Sequence, residues 1–193
     1  MNARGQRRLL VLRTAAADLL ADEGFDALTH RALSARSGVP LASTTHYFRT
    51  VDDLAVAAAE ELAERWLAHA RGVVAGLPQR RTSATAAARV LAELVLGPSP
   101  TPAALAAFYE RYVQAGRVPE LRTLVVAWND ELRGLVATAS SRCGRPVTPV
   151  RAHLLLAALD GLVLTAVAEG AADPVEAAVR PLARLLGESA VSR

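Results

Sequence analysis

Residues 150–169, "VRAHLLLAALDGLVLTAVAE", are apolar on nearly every side of a helix. In water such a helix must be covered on more than one face. Its own core can cover one face, and a second copy of the chain can cover another. The other reading is a central helix of a monomer, ringed by its neighbours. A chain of 193 residues can bury one sizeable core but has few helices with which to form a ring. The final helical segment, about 175–186, offers Val175, Ala178, Val179, Leu182, Leu185 and Leu186 as one stripe. A homodimer through residues 150–169 and 175–186 is therefore expected. No apolar run reaches the roughly 18 residues that span a bilayer without a charge or a proline, so no membrane partner is expected.

The rest of the chain repeats the helical pattern. Leu9, Leu12, Ala16, Leu19 and Leu20 share one face of a segment over 6–23, which Gly24 ends. Thr29 is a good N-cap for a brief helix over 30–37 that stops at Gly38. Pro40 opens another short helix, to about Tyr47. Thr50 and Asp53 then start a long one, about 51–77. Further helices are predicted over 84–96, 102–115, 120–141, 150–169 and 175–186. The loop "GPSPTP" (97–102) and the breaks "GRVP" (116–119) and "RCGRPVTP" (142–149) separate them. The expectation is all-α, about nine helices with no strand. Residues 1–50 make a small N-terminal domain that extends into the helix from 51, and 51–193 make a larger helical one.

Charge sharpens that division. Every basic side chain is arginine, and the net charge is +3. Residues 1–49 carry seven arginines against four acids, so the whole excess lies in the first quarter. A basic end on a neutral body suits a polyanion partner, although an ordinary solvated surface would look similar. Cys143 is the only cysteine, which excludes an internal disulfide and fits a reducing cytoplasm. Arg7 and Arg8 precede "LLVL" as in an export signal, but Arg13, Asp18 and Asp22 interrupt the apolar run.

Helix, glycine-containing turn, helix over 29–48 is the spacing of a helix-turn-helix. Leu33, Val39 and Phe48 close its small core, which leaves Leu41, Ala42, Ser43 and Thr45 to point outward. Small residues let a backbone approach a major groove. Hydroxyls can bond phosphates or base edges, and apolar tips can meet thymine methyls.

Residues 8–60 resemble the N-terminal DNA-binding domain of the tetracycline-repressor (TetR) family of bacterial transcription regulators. The match lies in Gly24-Phe25, Thr29, Leu33, Gly38-Val39, the run Ser43 to Phe48, and Asp53-Leu54, in that order and spacing. The remaining residues match in layout, and "LDGL" (159–162) looks like a frequent feature of the family's C-terminal domain. The resemblance implies a dimer that reads a pseudo-palindromic double-stranded DNA operator and is released by a small-molecule effector. It implies that Thr29 bonds a phosphate, that Leu41, Ala42, Ser43 and Thr45 face the groove, and that His46 and Tyr47 anchor flanking phosphates. Thr44 stands where the family usually has an aliphatic residue and is expected to face inward. Thr45 replaces a usual aromatic. Val51 replaces a frequent phosphate-binding lysine, for which Arg49 is a nearby substitute. Ser34 and Ser37 replace small alanines and need partners, such as carbonyls one turn back.

Candidate effector contacts are the bulky and polar residues of the apolar helices: Trp66, His69, Phe108, Tyr109, Tyr112, Trp128, Asn129 and Asp160. For the aromatics, core packing is the competing explanation. No cofactor or metal is expected. The chain has no lysine for a Schiff base or a P-loop, and its four histidines are scattered. Two other functions stay open: a helix-turn-helix protein whose C-terminal domain only dimerises or binds another protein, and an all-α enzyme.

Overall fold

The computed structural model describes residues 3–97 and 100–187. Among these, the backbone forms nine α-helices, one 3-10 turn and no strand. The helices are α1 (Ala3–Glu23), α2 (His30–Ser37), α3 (Leu41–Tyr47), α4 (Val51–Gly76), α5 (Ala84–Leu96), α6 (Pro102–Arg117), α7 (Pro119–Arg142), α8 (Pro149–Ala168) and α9 (Pro174–Gly187); the turn is Phe25–Ala27. Within the predicted loop 97–102, Pro98 and Ser99 lie outside the described residues.

Most ends fall where punctuation places them. Gly24, Gly38 and Gly97 follow helices with positive φ. The break expected over 116–119 shrinks to Val118 alone. Pro119 can open α7 because a first-turn residue needs no N–H partner. Arg122 of α7 donates to the carbonyls of Ala115 and Gly116 at 3.3 and 3.4 Å, which satisfies the end of α6. α1 begins at Ala3, ahead of the predicted start at residue 6.

The chain divides into two compact units: Met1–Arg65 with Ala106–Ala127, and Trp66–Leu105 with Trp128–Arg193. In the first, one core joins Leu12, Ala16, Leu19 and Leu20 of α1 to Leu33, Val39, Phe48, Leu54 and Ala58, and also to Ala115, Leu121 and Val125. In the second, α9 packs on α5 and α8. Leu91, Leu94 and Val95 of α5, Leu155, Leu156, Leu159 and Val163 of α8, and Val179 and Leu182 of α9 are buried there.

The predicted loop after α7 is a junction within the second unit. Backbone N–H groups of Arg80 and Thr82 donate to the carbonyls of Arg142 and Cys143. Arg142 donates to the carbonyl of Leu77, just past α4, at 2.9 Å, and Arg145 to that of Leu186 in α9 at 3.1 Å. Arginines thus close two helix C-termini, where the dipole favours a cation.

α8 explains its own composition. One face, Ala152, Leu155, Leu156, Leu159, Val163 and Ala166, is buried. The opposite stripe, Val150, Leu154, Ala157, Gly161, Leu164 and Ala168, is exposed, with Val150 at 70% and Leu154 at 60%. By length and composition α8 could cross a membrane, but it carries Arg151 and Asp160 and covers its buried face with its own chain.

Gly144 and Gly134 make opposite predictions. Gly144 has φ +71°, and an added Cβ would lie 2.8 Å from the Arg81 Cα, so Gly144→Ala is expected to cost about 2 kcal/mol or more. Gly134 lies inside α7 with nothing within 4 Å of an added Cβ, so Gly134→Ala should stabilise by up to about 1 kcal/mol. Urea denaturation of the two variants checks both signs.

Candidate nucleic-acid interface

α3 has only seven residues, among them Ser43, Thr44 and Thr45, and too little propensity to form alone. Its surroundings hold it. Gly38, at φ +68°, makes the turn from α2. Ser34 Oγ donates to the Val39 carbonyl at 2.7 Å, across the turn. Ser37 Oγ donates to the Leu33 carbonyl at 2.6 Å, and the Val39 N–H donates to Ser37 Oγ at 3.2 Å. Ser37 therefore finds its partner one turn back, while Ser34 bonds forward. Both hydroxyls stiffen the turn. Thr44 is 0% exposed, inward as its position requires, and its hydroxyl donates to the Leu41 carbonyl at 2.8 Å.

The other face of α3 is left clear. Leu41 (50% exposed), Ala42, Thr45 and His46 are exposed, and Ser43 is half-buried. Thr45 Oγ1 sits 3.2 Å from the Ala42 carbonyl, a contact an exposed hydroxyl can exchange for another acceptor. At the far end, a reciprocal capping box opens α4. Thr50 Oγ1 accepts from the Asp53 N–H at 3.0 Å, and Asp53 Oδ2 accepts from the N–H groups of Thr50 (3.0 Å) and Arg49 (3.1 Å). This fixes the backbone of Arg49 while its guanidinium stays in solvent, beside an exposed Val51.

Proton counting separates the expected phosphate ligands. Thr29 caps α2 by accepting from the Ala32 N–H at 3.1 Å. A hydroxyl has one proton and two lone pairs, so accepting from Ala32 leaves the Thr29 proton available to an acceptor. Tyr47 differs: its O–H donates to the Gly5 carbonyl at 3.2 Å. To bond a phosphate, that proton must leave Gly5.

Two braces are not evident from sequence. Arg36 donates to Asp22 at 2.9 Å and Glu23 at 3.1 Å, tying α2 to the end of α1, and these hydrogen bonds raise its pKa above the ordinary value. Glu110 accepts from the Phe25 N–H at 2.9 Å. A Cβ on Gly24 would come within 2.7 Å of the same carboxylate. The "ADEG" and "GF" signals are visible, but no local rule links residue 25 to residue 110.

The eight effector candidates fall in two sets. In the second unit, Trp66 donates to the Val95 carbonyl at 2.9 Å, and its ring lies 6.3 Å from that of the buried Trp128. His69, Asn129 and Asp160 of that unit are half-buried. In the first unit, Phe108, Tyr109 and Tyr112 surround Arg111, which no sequence pattern singles out. Arg111 is 4% exposed, lies 3.5 Å from the Phe108 ring centroid, and donates to the Phe108 carbonyl at 2.6 Å and the Tyr112 hydroxyl at 3.0 Å. This cluster packs around a cation of the chain's own. Two depressions in the second unit, of about 650 and 600 Å³, are lined by other residues, including Arg133 and His153 in one and Arg89 and Glu176 in the other. Among the described residues, no three His, Cys, Asp or Glu side chains gather as a metal site would need.

The helix-turn-helix and the helical remainder each match a family model: "Bacterial regulatory proteins, tetR family" over residues 12–58, and "Tetracyclin repressor-like, C-terminal domain" over residues 82–188. No curated protein matches the chain. Among solved structures, the multidrug binding protein EbrR in complex with proflavin is 33% identical, with a TM-score of 0.66 over 92% of this chain and 99% of that one. A TetR-family member from Streptomyces coelicolor A3 is 31% identical, with a TM-score of 0.62 over 92% of this chain and 97% of that one. A transcriptional regulator from Rhodococcus sp. Rha1 shares the fold, with a TM-score of 0.72 at 24% identity over 93% of this chain and 94% of that one. The chain belongs to the TetR family of bacterial transcriptional regulators.

Proposed function

We propose that this regulator is a repressor: a cytoplasmic homodimer that binds a pseudo-palindromic operator through α3 and releases it when a small molecule binds. The observation that carries the DNA reading is the two-sidedness of α3. A fully buried Thr44 anchors one side, and Leu41, Ala42, Thr45 and His46 stand exposed on the other. A helix this poor in propensity is retained because its surface serves a groove. Residues 1–50 carry this surface, and 51–193 carry dimerisation and effector binding.

Leu41, Ala42, Ser43 and Thr45 read base edges in this scheme. Thr29, His46 and Arg49 hold phosphates, with Arg49 standing in for the lysine that Val51 replaces, while the Tyr47 hydroxyl, expected to do the same, is spent on the Gly5 carbonyl. The exposed stripe of α8, joined by Leu185 of α9, which is 38% exposed, supports a two-fold contact with a second copy. EbrR binds proflavin, ethidium and malachite green. That likeness supports a small-molecule effector here. The proposed contacts are Trp66, His69, Trp128, Asn129 and Asp160 within the second unit, with Phe108, Tyr109 and Tyr112 as a separate candidate set within the first. The effector releases DNA only to the extent that it binds the DNA-free state more tightly.

Binding to the chain's own upstream DNA, measured at several salt concentrations, tests the reading. Affinity should fall steeply with salt as phosphate contacts release counterions. Binding that is absent or indifferent to salt would defeat it. Within that assay, Thr45→Ala should alter the preferred sequence, whereas Arg49→Gln should weaken all duplexes about equally. The dimer has its own check: Leu154→Glu should give monomers in sedimentation while keeping the helical circular dichroism. A dimer that survives that charge would rule out this face.

A further inference from the structure

We propose that the first turns of α1 form a second DNA contact, in which Arg4, Arg7 and Arg8 hold backbone phosphates beside the groove that α3 enters. This rests on the DNA-binding reading of α3 and adds residues that reading does not include.

The arginines of the first unit divide by what neutralises them. Arg13 pairs with Glu60 at 3.1 Å and Glu61 at 3.7 Å, Arg36 with Asp22 and Glu23, and Arg65 with Asp18 at 2.7 Å and Glu61 at 3.2 Å. Burial lowers the Arg65 pKa, but the hydrogen bonds to Asp18 and Glu61 outweigh it. Arg4, Arg7 and Arg8 are exposed and make no ion pair among the described residues. Residues 1–17 contain no acid, and the first turn of α1 contains none. A cation in the first turn, where Arg4 stands, opposes the helix dipole, so these positions draw no stability from it. They are well chosen for an anion brought by a partner.

Position identifies that partner as the duplex. The Tyr47 O–H donates to the Gly5 carbonyl, which holds the start of α1 against the C-terminal end of α3. Arg4 adjoins Gly5, and Arg8 lies one turn on along the same face as Arg4. Any duplex that α3 enters brings phosphates to this end, and guanidinium groups match their charge and geometry. With its one proton committed to Gly5, Tyr47 becomes a positioning residue for these arginines.

The test compares four full-length proteins: wild type, Arg4→Gln/Arg7→Gln/Arg8→Gln, Tyr47→Phe, and a charge control, Arg80→Gln/Arg81→Gln, from the exposed segment before α5. Two labelled DNA probes are used, a random-sequence duplex and a site selected from a random pool with the wild type. Glutamine keeps helix propensity close to that of arginine, and circular dichroism verifies folding. The triple variant should bind both probes about tenfold more weakly at low salt. Its slope of log affinity against log salt should shrink by about 0.9 for each phosphate it no longer neutralises. The ratio between the two probes should stay as in wild type. Tyr47→Phe should move affinity and slope the same way by less, and the control should leave both unchanged. A wild-type slope in the triple variant, an equal change in the control, or an altered probe ratio would overturn the inference while the reading of α3 stands. If the wild type binds neither probe, the reading of α3 fails first and takes the inference with it.

Discussion

A seven-residue helix cannot hold itself in water, and α3 is a weak one. Nucleation costs more than so few hydrogen bonds return, so α3 exists only because its ends are fixed from outside. At one end, Gly38, Ser34 and Ser37 determine how the chain leaves α2. At the other, Asp53 holds two successive N–H groups, and Thr50 holds Asp53 in return. Buried Thr44 and Phe48 supply the remaining anchors. Because these devices lie in the turns and on the inner face, the outer face is free of structural duty. That separation lets the outer surface vary in sequence without unfolding the domain that presents it.

Local signals were the legible ones. Thr29 as a cap, Gly38 as a turn and the Thr50–Asp53 box each follow from a few neighbouring residues, the inward Thr44 follows from the family resemblance, and each stands in the structure as expected. What escaped involves residues distant in sequence. Arg36 counts as free positive charge until the fold brings it to Asp22 and Glu23. Glu110 looks like a solvated acid until it meets the backbone of Phe25. Arg111 looks like a surface cation until Phe108 and Tyr112 enclose it. Composition reports a charge but not its partner, and here the partner decides whether that charge stabilises the fold or faces a ligand.

The same distinction changes the meaning of the charge excess. A net imbalance of three in the first quarter is small evidence by itself. Pairing concentrates it. Once Arg13 and Arg36 are assigned to carboxylates, the arginines of the first quarter without an ion pair among the described residues are those at the start of α1 and around the helix-turn-helix. Exposed ion pairs contribute little stability, so the main consequence of the pairing is electrostatic. It removes positive potential where acids stand and leaves it where none do.

α8 shows why an all-round apolar helix resists sequence reading. A helix with one apolar face announces its orientation through a period of 3.6 residues. α8 has two apolar faces, so the period is lost, and neither face can be told from the other by residue type alone. Small differences of shape remain. The buried face sets Leu155, Leu156, Leu159 and Val163 between Ala152 and Ala166, and the exposed stripe mixes Val150, Leu154 and Leu164 with Ala157, Gly161 and Ala168. A stripe of mixed large and small residues is poor at covering itself but suits interdigitation with an opposing helix, where bulk on one side fills a gap on the other. A two-fold pairing would set this stripe against its own copy. On the proposed pairing the two apolar faces would have different origins: one arises from folding within the chain, and the other would answer to a second chain.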